Sequence, residues 1–183
     1  MNKKKIAIIV GSLRKDSFNR KLALHAIKNQ PESLDMEIVE IGQLPHYNED
    51  YDVANEPAEY AEFRKKIGEA DGFLFFTPEY NRTIPGVLKN AIDVASRPYG
   101  HNKWNGKPGA IISSSTGPTG GMAANHALRQ PMVFVNVLMM QQPECYIANS
   151  YTLFDEDGNL TDKSTAEYLD KVLKSYEEWV NKF

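Results

Sequence analysis

The chain has 183 residues, of which 42% are hydrophobic and 25% charged. That is enough to bury one substantial core but too little for two comfortable domains, so a single domain over 1–183 is expected. The formal net charge of −3 comes from 21 basic and 24 acidic residues mixed along the sequence, which leaves no basic footprint for nucleic acid or an anionic membrane.

In chain order, the start Met1-Asn2-Lys3-Lys4-Lys5 carries the charge of a signal peptide's basic region, but the apolar run behind it, 6–10, has only five residues before Gly11. It is expected to be a strand, and no later stretch approaches the roughly 18 apolar residues of a membrane span. Near-continuous apolar runs follow at 36–41, 73–77 and 110–113, with 137–140 and 145–148 together supplying a fifth candidate. Such runs suit parallel strands buried on both faces. Between them, Tyr60, Phe63 and Ile67 lie at helical spacing, as do Val87, Leu88, Ala91, Ile92 and Ala95. Each set gives one apolar stripe to pack on a sheet. A helix is also expected to start near Met122, and a long one closes the chain after Thr161. In the closing helix Ser164-Thr165-Ala166-Glu167 reads as a capping box, with a stripe running from Tyr168 to Phe183. Residues 42–57 read as a polar stretch and 96–107 as turn-rich. The order β-α repeated defines an α/β protein with a doubly wound parallel sheet, in either common strand order, whose ligands sit beyond the carboxyl ends of the strands.

The loops at those ends carry the candidate chemistry. After the first strand comes Gly11-Ser12-Leu13-Arg14-Lys15-Asp16-Ser17-Phe18-Asn19-Arg20, with neither the G-x-G-x-x-G of a dinucleotide site nor a P-loop. Ser12, Arg14, Ser17 and Asn19 gather donors at a helix N-terminus, a set that suits a terminal phosphate monoester; the competing reading is that Ser17 or Asn19 merely caps the helix. After the third strand, Thr77-Pro78-Glu79-Tyr80-Asn81-Arg82-Thr83-Ile84-Pro85-Gly86 makes a stiff loop. Pro78 and Tyr80 offer flat apolar surface, and the free backbone groups could read the polar rim of a heterocycle. After the fourth, Ser113-Ser114-Ser115-Thr116-Gly117-Pro118-Thr119-Gly120-Gly121 forms a wall of small residues that a ligand can approach closely. It contains no G-x-S-x-G elbow, so a serine hydrolase is rejected.

These loops, together with Ile84-Pro85-Gly86-Val87-Leu88-Lys89-Asn90-Ala91-Ile92-Asp93, resemble the NADPH-dependent FMN reductases, a family that includes quinone, chromate and azo-dye reductases. The resemblance runs from Ile6 to about Gln130. It implies a flavodoxin-like five-stranded parallel sheet in the order 2-1-3-4-5 with helices on both faces. By position it implies that Ser12, Arg14, Ser17 and Asn19 hold the phosphate and ribityl end of bound FMN, and that Pro78, Glu79, Tyr80 and Asn81 border the isoalloxazine. Ser115 matches a further flavin contact. NADPH or NADH would be the hydride donor and a small molecule the acceptor, in a homodimer or homotetramer. Where the flavin does the chemistry, no side chain need act as acid, base or nucleophile.

Elsewhere the signals are weak. Cys145 is the only cysteine; it permits no intramolecular disulfide, reads as an inert core thiol and fits a reducing, cytoplasmic setting. His25, His46, His101 and His126 stand apart without metal-ligand spacing, and His126 is expected on a helix surface. The segment beyond Gln130 carries no ligand motif. The rival reading is a flavodoxin-type electron carrier, which the guanidinium of Arg14 and the modest net charge oppose.

Overall fold

The computed structural model describes residues 3–183; Met1 and Asn2 of the basic start lie outside the described residues. In chain order the elements are β1 (Lys4–Val10), α1 (Phe18–Lys28), β2 (Leu34–Ile38), α2 (Asp50–Val53), α3 (Ala58–Glu69), β3 (Gly72–Thr77), α4 (Gly86–Ala95), β4 (Pro108–Ser114), α5 (Met122–Phe134), β5 (Leu138–Met139), β6 (Cys145–Ile147), a 3₁₀ turn (Ser150–Thr152) and α6 (Lys163–Val180).

All the strands pair in parallel, in the order β2-β1-β3-β4-β5, with β6 also on β4. The expected 2-1-3-4-5 order is therefore present. The fifth position is split, however, since β5 pairs with Pro108 and Gly109 while β6 pairs with Ile112, Ser113 and Ser114. The intervening residues, 140–144, include Pro143, which has no N–H to give a ladder.

Alternation along each strand sorts the core into two layers. Ala7, Ile9, Phe73 and Phe75 face α3, α4 and α5, where Trp104 and the stripe Tyr60, Phe63 and Ile67 fill the space. Ile6, Ile8, Val10, Leu74 and Phe76 face α1 and α6, against Leu22, Leu169, Val172, Leu173 and Tyr176. Helices thus cover both faces, and strands buried on both sides carry no polar face, the pattern the apolar runs encode.

Three local expectations need correction. The second strand starts at Leu34 and stops at Ile38; Val39 still donates its backbone N–H to Ile8 O at 2.9 Å, and Val39 and Ile41 are buried in the core beyond the strand's end. The cap of α6 is Asp162, whose carboxylate accepts from the Thr165 backbone N–H at 2.7 Å, so Ser164-Thr165-Ala166-Glu167 already lies inside the helix. Phe183 falls past the helix end and is exposed.

The polar stretch 42–57 is tied down rather than loose. The Asn90 side chain of α4 donates to Pro45 O at 2.9 Å and accepts from Tyr47 N at 2.8 Å. The nearly buried Arg64 guanidinium of α3 donates to Asp52 and to Glu56, each at 2.6 Å, and to Val94 O at 2.9 Å.

Candidate functional site

Parallel pairing brings the ends of β1, β3 and β4 to one edge of the sheet, so the three loops meet there whatever their distance in sequence. They enclose a cleft of about 150 Å³. Small-molecule sites usually run to roughly 300–1,000 Å³. This cleft is smaller than that and open to solvent.

The first wall is the β1–α1 loop. Ser12, Arg14, Ser17, Phe18 and Asn19 all line the cleft. Ser17, only 2% exposed, is the N-cap of α1, its Oγ accepting from Arg20 N at 3.2 Å. The capping reading is therefore correct for Ser17, yet its hydroxyl proton remains free to donate to a ligand. No acidic residue occupies the first turn of α1, so the positive end of that helix is uncompensated at the cleft. The Arg14 guanidinium lies 6.0 Å from the Phe18 ring centroid and has no carboxylate partner among the described residues.

Asn19 makes one long hydrogen bond, donating to Ser114 O at 3.4 Å, and its buried Oδ1 has no partner. The Oγ atoms of Ser114 and Ser150 are likewise buried and partnerless. Buried polar atoms left without a partner are scarce in folded proteins, and each calls for a reason. Among the described residues there are six, and three of them belong to residues lining this one cleft.

The second wall is the β3–α4 loop, from which Pro78, Glu79 and Tyr80 line the cleft. Tyr80 and Thr83 exchange backbone hydrogen bonds of 3.0 Å in each direction, closing a two-residue turn whose central residues, Asn81 and Arg82, have φ of 51° and 66°. Two positive φ values in succession match the tightest hairpin turn, which Asn tolerates better than Arg. The turn holds Tyr80 half-exposed at the rim and directs Asn81 and Arg82 into solvent. Asn81 is the one expected site residue that does not line the cleft.

The third wall is the β4–α5 loop. Ser115 lines it, its Oγ donating to Gly117 O at 3.3 Å, its N donating to Ile147 O and its carbonyl accepting from Ser150 N at 3.1 Å. The sequence places Ser114 and Thr116 in the small-residue wall, where they do line the cleft, but singles out neither Phe18 nor Ser150 as a lining residue. Ser150 thus reaches the cleft from a segment whose sequence carries no ligand motif. Because β6 runs parallel to β4, whatever follows it must emerge at the ligand edge; that parallel pairing is the only signal, and it is not local. Gly120 permits the approach, since a Cβ there, at φ +60°, would stand 2.7 Å from the Tyr146 carbonyl carbon.

Glu79 has a role the sequence did not suggest. Its Oε2 accepts from the backbone N–H groups of Ala123 at 3.0 Å and Ala124 at 3.3 Å, the first turn of α5. Outside the cleft, burial pushes the Cys145 thiol up to about 12, as befits an inert core residue. His126 is exposed on α5, its Nε2 3.0 Å from the Tyr146 hydroxyl. No cluster of three or more His, Cys, Asp or Glu able to hold a metal occurs among the described residues, and no helix there is long and apolar enough to cross a membrane.

A donor-lined cleft at the carboxyl edge of a parallel 2-1-3-4-5 sheet is the architecture of flavodoxin-like proteins. Within that class the chain belongs to the NADPH-dependent FMN reductase family, whose profile matches residues 4–152. It is 50% identical over 175 residues to a quinone reductase of Pseudomonas putida, covering 96% of this chain and 94% of that one. It is 46% identical to a 2-hydroxy-1,4-benzoquinone reductase of a Burkholderia species, covering 96% of each. Among solved structures it resembles the flavoenzyme NAD(P)H:(acceptor) oxidoreductase FerB of Paracoccus denitrificans, with a TM-score of 0.91, 41% identity and 98% of each chain covered.

Proposed function

We propose that the cleft binds FMN and that the chain uses it to reduce small acceptors, quinones foremost, with NADPH or NADH. The observation that carries the reading is the grouping of buried, partnerless Asn19 Oδ1, Ser114 Oγ and Ser150 Oγ with the unpaired Arg14 and the uncompensated start of α1. A phosphate monoester with its ribityl chain offers acceptors to Arg14, Ser12, Ser17 and the α1 amides, and hydroxyl groups to Asn19 Oδ1. The residues present therefore fit the group the family name implies.

The Pro78-Glu79-Tyr80-Asn81 segment would border the ring, and Ser115 would be a further contact. FMN bound there would supply the hydride-transfer chemistry between nicotinamide and acceptor. The protein's own part is to hold and orient. The small residues of the β4–α5 loop would leave room beside the ring for donor and acceptor, and Tyr80 would border it.

In keeping with this reading the chain works as one domain through 1–183, in the cytoplasm, as a homodimer or homotetramer. The flavodoxin-type carrier is opposed by Arg14 and by the open rim. One experiment tests the whole: protein purified and boiled releases FMN, and anaerobic NADPH or NADH bleaches the bound chromophore, with quinone turnover giving parallel double-reciprocal lines. Release of FAD, or no uptake of FMN at micromolar concentration, removes the cofactor assignment. FMN uptake without bleaching by either nucleotide favours the carrier.

A further inference from the structure

Helix α5 begins without a cap of its own. Its N-cap is Gly121, which has no side chain to offer, and the first turn contains no acidic residue. The usual Ser, Thr, Asp or Asn would be strained at this position, because φ there is +76° and a Cβ would stand 3.2 Å from the Cβ of Ser113. The free amides at the positive end of the helix dipole instead receive the carboxylate of Glu79, from a loop more than forty residues earlier in the chain. That loop is one wall of the cleft and the α5 entrance is continuous with another.

We infer that Glu79 is a positioning residue: it does not read the ligand but joins the β3–α4 loop to the N-terminus of α5, and so sets the spacing of the two walls that receive the isoalloxazine. The inference rests on the flavin reading of the cleft. Its chemistry is specific. A carboxylate satisfies two amides and answers the helix dipole at once, which no neutral side chain does fully. With its Oε2 committed to α5, Glu79 also withholds those amides from any anion at the rim, leaving the α1 end as the cleft's phosphate site.

The location of the join predicts which part of the ligand suffers when it is broken. Glu79→Ala frees the ring walls and leaves the Ser12–Asn19 wall untouched, so FMN and riboflavin should lose affinity together, by about three- to thirtyfold, the range a lost helix cap represents. Glu79→Gln keeps one acceptor oxygen and should recover most of that loss. A second variant separates a join between walls from a simple helix cap. Met122, at the start of α5, is exposed, so Glu79→Ala/Met122→Glu returns a negative charge to the helix end without reconnecting the loop.

Equilibrium flavin-fluorescence titrations on the four proteins, with thermal melts of each, read the result. The expected outcome is that the double variant regains melting temperature while both flavins stay weakened. Recovery of flavin affinity in the double variant, unchanged affinity in Glu79→Ala, or a loss for FMN alone would each overturn the inference. If the wild-type protein takes up neither flavin, the reading of the cleft fails first and visibly, before any variant is compared.

Discussion

Arg14 gives the sharpest test of the phosphate end of the cleft. It is exposed, its guanidinium rests 6.0 Å from the Phe18 ring centroid, and no carboxylate among the described residues competes for it. Replacing it with alanine removes donors but little packing, because Phe18 remains stacked on Phe154 with centroids 5.9 Å apart. A hydrogen bond to a charged group is worth about 1.5–3 kcal/mol, or roughly ten- to a hundredfold in affinity. Exposure and salt screening place Arg14 toward the lower end, near tenfold at about 0.15 M salt and more at low ionic strength. Arg14→Lys keeps the charge but loses the planar fork, and should fall between. Titrating apoprotein with FMN and with riboflavin, which lacks the phosphate, is the assay. FMN should weaken by the stated factor and riboflavin by less than about threefold. Equal losses for the two ligands, or a loss independent of salt, would show that Arg14 is no phosphate ligand and that the donors of the first loop serve another purpose.

Further expectations follow from other parts of the structure. Arg82 is held at positive φ in the turn beside the rim and is exposed; if it meets the 2′-phosphate of NADPH, Arg82→Ala should lower the ratio of kcat/KM for NADPH over NADH, and an unchanged ratio leaves it a solvated charge. Cys145, buried and with its thiol pushed up to about 12, should resist iodoacetamide at pH 8 in the native protein and react after denaturation, which mass spectrometry of the two samples decides. Arg64 and Asp52 have side chains only 7% and 6% exposed, so Arg64→Leu leaves a buried carboxylate without its cation, with only the Tyr47 hydroxyl donating to it, and should cost about 3–5 kcal/mol in urea unfolding. A loss under about 1 kcal/mol would mean that Asp52 finds water when its partner goes. Asp162, whose carboxyl is held below its ordinary value by hydrogen bonds from Thr165 and Ser164, stabilises α6 when ionised. That contribution is present above the unfolded carboxylate range and is lost as pH falls through the lowered folded value, so Asp162→Asn should flatten the acid limb of the melting curve.

Burial and helix or strand type were legible in the sequence because both are local. Phe73 to Phe76 had to be a strand covered on two sides, and Tyr60, Phe63 and Ile67 had to share one helix face, since residue spacing alone fixes which side chains point together. The loops bearing Ser12, Arg14, Pro78, Tyr80 and Ser115 could be found for the same reason: each begins where an apolar run stops. What decided the rest was contact between segments far apart in the chain, for which local spacing holds no information. Only the pairing of β6 with β4 delivers Ser150 to the cleft, and only the packed sheet shows that Asn19, Ser114 and Ser150 are left holding unpartnered polar atoms at one place. That the Glu79 carboxylate lies on the first turn of α5, whose N-cap Gly121 has no side chain to offer, is likewise visible only in the packed fold. A side chain's partner is set by which backbones the tertiary fold brings within about 3 Å of it, and that distance is decided by the whole core at once.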